Sequence, residues 1–161
     1  MCETGEDDDS LYRLSYVSDI VPSAADEMDF TLREILIRSH IMNSRDGITG
    51  FLITYRGWYA QVIEGPLAAV NKCYARIAGD HRHENLEVKS RGLVGQRLFP
   101  QWSMCGLTLS ARDAEILRLT EQRFDLDLRA ASPPALMRFL ETVSRRYNDQ
   151  VDRVYRTLSE V

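Results

Sequence analysis

Apolar and polar positions alternate along the first two thirds of this chain in short runs, each closed by glycine or proline. In Leu11-Tyr12-Arg13-Leu14-Ser15-Tyr16-Val17-Ser18, Tyr12, Leu14 and Tyr16 alternate with Arg13 and Ser15. That period of two predicts a strand whose apolar face carries two phenols. After a loop containing Pro22, the period changes. Asp29 is a good N-cap, with Thr31-Leu32-Arg33-Glu34 as a candidate capping box. Leu32, Ile35, Leu36, Ser39, Met42 and Asn43 then recur at helical spacing. Asn43 lies about three turns beyond Leu32, almost above it. The inward stripe of this helix thus becomes polar at its C-terminal end. Asn43 either terminates the helix, where Asn is common, or belongs to a polar site, and the pattern admits both.

Asp46-Gly47 leads into a second strand, Ile48 to Tyr55, and Arg56-Gly57 is a two-residue hairpin turn into a third. Gly50, inside the second strand, marks either a bulge or a close approach to the backbone. The third strand, Trp58-Tyr59-Ala60-Gln61-Val62-Ile63-Glu64, is rich in residues suited to a pleated, half-buried surface. Tyr59, Gln61 and Ile63 share one face, and Trp58, Ala60 and Val62 the other. An uncharged amide therefore sits inside an apolar run. Buried without partners it costs about 1–3 kcal/mol. Backbone groups can satisfy it, and so can a ligand.

Gly65-Pro66 stops the strand and opens a second helix, with Leu67, Val70, Tyr74 and Ile77 on its buried side. Arg76 and Asp80, four apart near its end, have the spacing of a surface ion pair. His81 to Asn85 reads as a loop. A fourth strand starts at Leu86 and runs toward Val94, and a fifth covers Trp102 to Leu109, with Trp102 and Met104 on one face. A short helix from Ala111 to Thr120 follows. Ser132-Pro133 then caps a long helix whose seam is Leu136, Leu140, Val143, Tyr147, Val151, Val154 and Leu158. Such a seam packs on the open face of a sheet or on another helix. The order β-α-β-β-α-β-β implies one α+β sheet with both helices on one face, and the C-terminal helices serve as a lid or contact surface.

Composition narrows the function classes. At 161 residues, with 44% hydrophobic and 27% charged positions, the chain is one globular domain with a small appendage. The expected division is an acidic, disordered lead-in over 1–10, a core over 11–110 and a helical extension over 111–161. A net charge of −4 without a basic stripe argues against nucleic acid. Cys2, Cys73 and Cys105 are odd in number and widely spaced, which suits a reducing cytoplasm better than a disulfide framework. His81 and His83 lack companions at metal-ligand spacing, so no metal is expected. No apolar run reaches the roughly 18 residues of a membrane span, and no signal peptide is evident.

Four motifs in order (Leu14-Ser15-Tyr16-Val17-Ser18, Asn43 followed by Asp46-Gly47-Ile48-Thr49-Gly50, Gln61-Val62-Ile63-Glu64-Gly65 and Trp102-Ser103-Met104) resemble the BLUF family of flavin-based blue-light sensors. The resemblance covers Leu11 to Leu109. It implies a ferredoxin-like sheet with flavin held between its two helices. By that likeness Tyr16 gives an electron and a proton to the excited flavin, and Gln61 bridges Tyr16 and the ring. Asn43 faces the flavin's carbonyl edge, and Arg76 and Asp80 lie near the ring and ribityl chain. Ser39 belongs to the same binding set. Trp102 and Met104 relay the change. The residue before Asn43, often polar in the family, is Met42 here.

The chemistry suits these residue types. Tyrosine is redox-active, and a glutamine amide presents donor or acceptor to the same neighbour, so two hydrogen-bond networks become accessible. The expectation is a cytoplasmic, non-enzymatic light sensor. It would bind FAD, FMN or riboflavin, self-associate, and act on a separate signalling protein. Two alternatives stand beside it: an acylphosphatase-like hydrolase on the same sheet, and a chromophore-free scaffold. The hydrolase would need a glycine-rich anion loop after the first strand, and there is none.

Overall fold

The computed structural model describes residues 10–121 and 127–160. The expected lead-in over 1–10 lies almost wholly outside that range. Five strands form one sheet in the order β4-β1-β3-β2-β5. They are β1 (Leu11–Ile20), β2 (Thr49–Tyr55), β3 (Trp58–Pro66), β4 (His83–Leu93) and β5 (Cys105–Thr108). The first four pair antiparallel, and β5 joins β2 in parallel at the edge. β1 and β3 are central, and Tyr16 lies directly opposite Gln61 in their register. The hairpin forms as its sequence requires: Arg56 and Gly57 both have positive φ, at 48° and 81°.

Two helices lie under one face, α2 (Met28–Asp46) and α3 (Leu67–Ala78), after a single-turn α1 (Pro22–Ala25) that the sequence pattern did not reveal. Leu32 and Leu36 of α2 and Val70 and Cys73 of α3 pack with Leu14, Leu52, Ile63 and Met104 of that face. The α+β, ferredoxin-like arrangement is as expected. The other face is covered by α4 (Ala111–Glu121), α5 (Pro133–Arg146) and α6 (Asn148–Ser159). Here Leu117, Leu136, Phe139, Leu140 and Val143 join Val17, Phe51, Ile53, Ala60 and Val62.

Several local expectations are corrected. The capping box does not form, because Thr31 is already inside α2 and its hydroxyl donates to Ala24 O on α1 instead. Asn43 does not end α2: the helix runs on to Asp46, and Gly47 at φ 72° is its left-handed cap, donating to Asn43 O. The long C-terminal helix is two, broken at Tyr147, whose hydroxyl donates to Asp113 on α4. The break lets α5 lie on the sheet while α6 passes beside β5 to α2. β4 begins at His83, earlier than the expected loop allowed. Leu67 is exposed at the start of α3.

β5 is also shorter than expected. Trp102, Ser103 and Met104 precede it in an irregular segment, and Trp102 and Met104 do not share a face. Trp102 packs with Phe51 among the C-terminal helices, whereas Met104 lies in the opposite cluster. Gly50 explains the irregularity. Its N–H donates to Trp102 O at 3.0 Å, and a Cβ there would collide with Val62 O and meet Met104 Cε at 3.0 Å. The glycine marks a close approach, not a bulge, since β2 and β3 keep an unbroken register across it.

Candidate functional site

Between α2, α3 and the sheet lies a cavity of about 640 Å³, within the roughly 300–1,000 Å³ usual for small-molecule sites. Tyr16 from β1 and Tyr59 and Gln61 from β3 form its sheet wall, with Asn43 from α2 and Cys73 and Arg76 from α3 across from them. Alternation places Gln61 here: position 61 shares the side of Tyr59 and Ile63, and cross-strand pairing sets Tyr16 beside it.

The amide is satisfied by side chains, not by backbone. Tyr16 OH donates to Gln61 Oε1 at 2.5 Å, and Gln61 Nε2 donates to Met104 Sδ at 3.2 Å. The second bond is weak, because a thioether is a poor acceptor. Gln61 thus has one firm partner and one easily exchanged. Burial, then the neighbouring Cys73 and Tyr59, push the Tyr16 phenol far above its usual value, so it stays protonated throughout the physiological range.

Asn43 is buried and donates through Nδ2 to Ser103 O at 2.9 Å. Its Oδ1 receives only a long contact from Cys73 Sγ at 3.8 Å, which leaves acceptor capacity at the cavity wall. Burial raises the Cys73 thiol and keeps it neutral. Ser39 and Met42 line the same wall, half-buried. Arg76 and Asp80 both reach the cavity but are not paired with each other. Arg76 approaches Asp46 at 3.6 Å, and Asp80 forms a fork with Arg82 at 2.5 Å. Burial works to raise the Asp80 carboxyl, but the Arg82 hydrogen bonds outweigh it and hold it below the usual carboxylate range.

The polar fringe and apolar interior suit a planar heteroaromatic with hydrogen-bonding edges. Leu52, Ile35 and Met42 supply apolar wall. Gln61, Asn43 and Arg76 supply donors and acceptors at the rim. One buried group of the cavity wall remains unsatisfied: the Tyr59 hydroxyl has no hydrogen-bond partner among the described residues. Residues that fit a flavin are therefore present.

Sequence reasoning missed parts of this wall. Tyr59 shares the Gln61 face, so the strand alternation could have found it. Cys73 stands three after Val70 on the buried side of α3, where helical spacing could have found it. His83 carried no such signal, since its segment read as a loop. Its ring meets Ser18 Oγ at 2.8 Å and Ile77 O at 2.6 Å, so both nitrogens are engaged. No group of three metal-ligating side chains occurs among the described residues. Ser103 was also missed: its hydroxyl meets His40 Nδ1 at 2.8 Å, Tyr155 OH at 3.0 Å and Ser44 Oγ at 3.0 Å. Trp102 Nε1 donates to Asp152 of α6 at 3.0 Å. The segment that touches Gln61 through Met104 is thus bonded to α6 at its adjacent residues.

Fold and cavity together define a small-molecule-binding α+β module whose sheet carries a tyrosine–glutamine pair facing the ligand space. The family of sensors of blue-light using FAD, BLUF, matches residues 11–105, and the chain belongs to it. The family is one of light sensors, which sets aside the hydrolase reading. Similar proteins include the alpha and beta subunits of photoactivated adenylate cyclase from Euglena gracilis, 30% and 29% identical over 102 and 103 residues. Each match covers 63% of this chain and only 10% or 12% of the relative. Among solved structures, BlsA in its ground state aligns with a TM-score of 0.69 at 25% identity, over 81% of this chain and 85% of that one. BlrB, a BLUF protein in its dark state, aligns with a TM-score of 0.65 at 26% identity, over 84% and 98%. No helix among the described residues is long and apolar enough to cross a membrane.

Proposed function

We propose that this chain senses blue light through Tyr16 and Gln61 and passes the change to α6 by way of Met104 and Trp102. The observation that carries the reading is the 2.5 Å bond from Tyr16 to Gln61 Oε1 beside the weak bond from Gln61 to Met104. A bound flavin supplies blue-light absorption and, once excited, a strong one-electron oxidant. Tyr16 is the phenol at the cavity wall whose proton already has an acceptor, so electron and proton can leave it together. Both would pass to the flavin, the proton by way of the Gln61 amide that accepts from Tyr16, and turning or tautomerising that amide would exchange the donor and acceptor presented to Tyr16. That exchange gives up the Met104 contact, the weaker of its two bonds.

Met104 then moves relative to Trp102 and Ser103, which bond to Asp152 and Tyr155 of α6. A hydrogen-bond change of about 1 kcal/mol shifts a balanced two-state element several-fold. Asn43, Ser39, Arg76 and Asp80 hold the ligand, with Asn43 Oδ1 free to accept from its edge. FAD is the proposed flavin, and FMN and riboflavin offer the same ring. The output goes to a separate signalling protein or within a homo-oligomer of this chain, in the cytoplasm, through the helices over 111–161.

The test is the absorption spectrum of purified protein in darkness and after blue light. A flavin spectrum that shifts slightly to the red and reverts in darkness is expected. Gln61→Leu should keep the flavin and lose the shift. A normal shift in that variant would overturn the Tyr16–Gln61 mechanism, and a bleached band in wild-type protein would overturn it as well. A protein that takes up no flavin on reconstitution would leave the scaffold reading.

A further inference from the structure

Two tyrosine hydroxyls are buried without a hydrogen-bond partner among the described residues, Tyr55 and Tyr59. They make a natural comparison. Both sit in the β2–β3 hairpin and both side chains are almost fully buried, at 2% and 3% exposure. They lie on opposite faces of the sheet. Tyr55 belongs to the cluster under the C-terminal helices, with Arg56 over its ring at 5.2 Å. Tyr59 belongs to the cavity cluster and lines the cavity two residues before Gln61.

An orphaned buried hydroxyl is costly, and few persist without a reason. The Tyr59 phenol sits beside polar groups that leave it unpartnered. Asp80 is committed to Arg82, both ring nitrogens of His83 are engaged, and Gln61 Oε1 is taken by Tyr16. His83 meets the Tyr59 ring edge-on at 6.1 Å. Burial drives the Tyr59 phenol up to about 12, with the Arg82 charge working the other way, so it stays protonated and remains a donor. The Asp80, His83 and Gln61 groups are thus engaged with other partners, and the Tyr59 side chain itself lines the ligand space.

We infer that Tyr59 is a further flavin-binding residue, whose hydroxyl donates its hydrogen bond to the bound flavin. The inference rests on the flavin reading above and adds to it a contact that Tyr16, Asn43 and Gln61 do not supply. Tyr59 is separate from the photochemical pair. It lacks a proton acceptor among the described residues, so it is not set up to release electron and proton together as Tyr16 is. It contributes affinity, not the light response.

The experiment is FAD titration of flavin-free wild-type, Tyr59→Phe and Tyr55→Phe protein, followed by flavin fluorescence, with thermal melts of the three flavin-free proteins. For Tyr59→Phe the FAD Kd should rise about three- to tenfold, the range of one neutral hydrogen bond. Its flavin-free form should melt no lower than wild type, because only an unsatisfied hydroxyl has gone. Tyr55→Phe should melt no lower either and should leave the Kd unchanged.

Equal FAD affinity in Tyr59→Phe and wild type overturns the inference alone, and so does an equal loss in Tyr55→Phe. A lower flavin-free melting temperature for Tyr59→Phe overturns it too, since the hydroxyl would then have a partner within the chain. If wild-type protein takes up no FAD, the flavin reading falls and this inference falls with it.

Discussion

The two faces of this sheet are built differently from the same alternating strands. Under the C-terminal helices the face is sealed: Phe51 and Phe99 stack at 5.6 Å, and Leu136, Leu140 and Val143 are wholly buried. Its buried charge is caged. Glu64 accepts from Arg13 Nε at 2.8 Å and from the backbone N–H groups of Leu98 and Phe99. The opposite face is left open at its middle. Tyr16, Asn43 and Gln61 are buried there beside a large cavity, with weak sulfur contacts and one orphaned hydroxyl. One face holds the domain together, and the other gives up packing for a site. The difference shows where stability and function separate.

Truncation on each face should break that comparison or sharpen it. Phe139→Ala, on the sealed face, should cost about 3–5 kcal/mol of unfolding free energy. Met42→Ala, half-buried at the cavity wall, should cost about 1 kcal/mol or less, because part of its surface already faces open space. Urea unfolding of the two variants measures both. Equal costs would mean that the cavity closes when no ligand fills it.

The Glu64 cage gives a smaller expected effect. Glu64→Gln keeps the volume but sets an amide donor against either the Arg13 guanidinium or the Leu98 and Phe99 N–H groups, and should cost about 1–3 kcal/mol. The flavin spectrum should not change, since the cage lies on the far side of the sheet from the cavity. A spectral shift without loss of stability would contradict the separation of the two faces.

Alkaline pH acts on both faces at once and most gently. Burial raises Cys105 on the sealed face from 9.0 to about 12, and Tyr59 on the cavity face from 10.0 to about 12. The unfolded chain therefore loses these protons first. Their stabilising contribution is fully present below the unfolded value and declines as pH rises toward the folded one. Urea midpoints should fall from about pH 9 upward. Tyr59→Phe should flatten the slope between about 10 and 12, and Cys105→Ala should flatten it from about 9. A slope unchanged in both variants would place the alkaline loss elsewhere.

Much of this was legible in the chain because it depends on neighbours in sequence. Strand alternation sorted Tyr59, Gln61 and Ile63 from Trp58, Ala60 and Val62. Helical spacing brought Asn43 above Leu32 on the inward side of α2, and both are buried. The turn chemistry of Arg56-Gly57 closed the hairpin as expected. Periodicity and turn preferences are local, and one sequence states them fully.

What only the tertiary structure decided are the choices among partners distant in sequence. Asp80 has the helical spacing to reach Arg76 but is held by Arg82, beyond the turn that ends α3. Gln61 could have met backbone and meets Tyr16 and Met104 instead. Trp102 and Met104 were to share a strand face. The Trp102 carbonyl docks on the bare backbone of Gly50, so the regular strand starts only at Cys105 and the two side chains part to opposite faces. The seam after Ser132 continues in sequence through Tyr147, yet the helix breaks where that side chain bonds to Asp113 of α4. In each case the residue types permit several arrangements of similar local energy. Long-range packing selects one, and that selection brings the phenol, the amide and the thioether together.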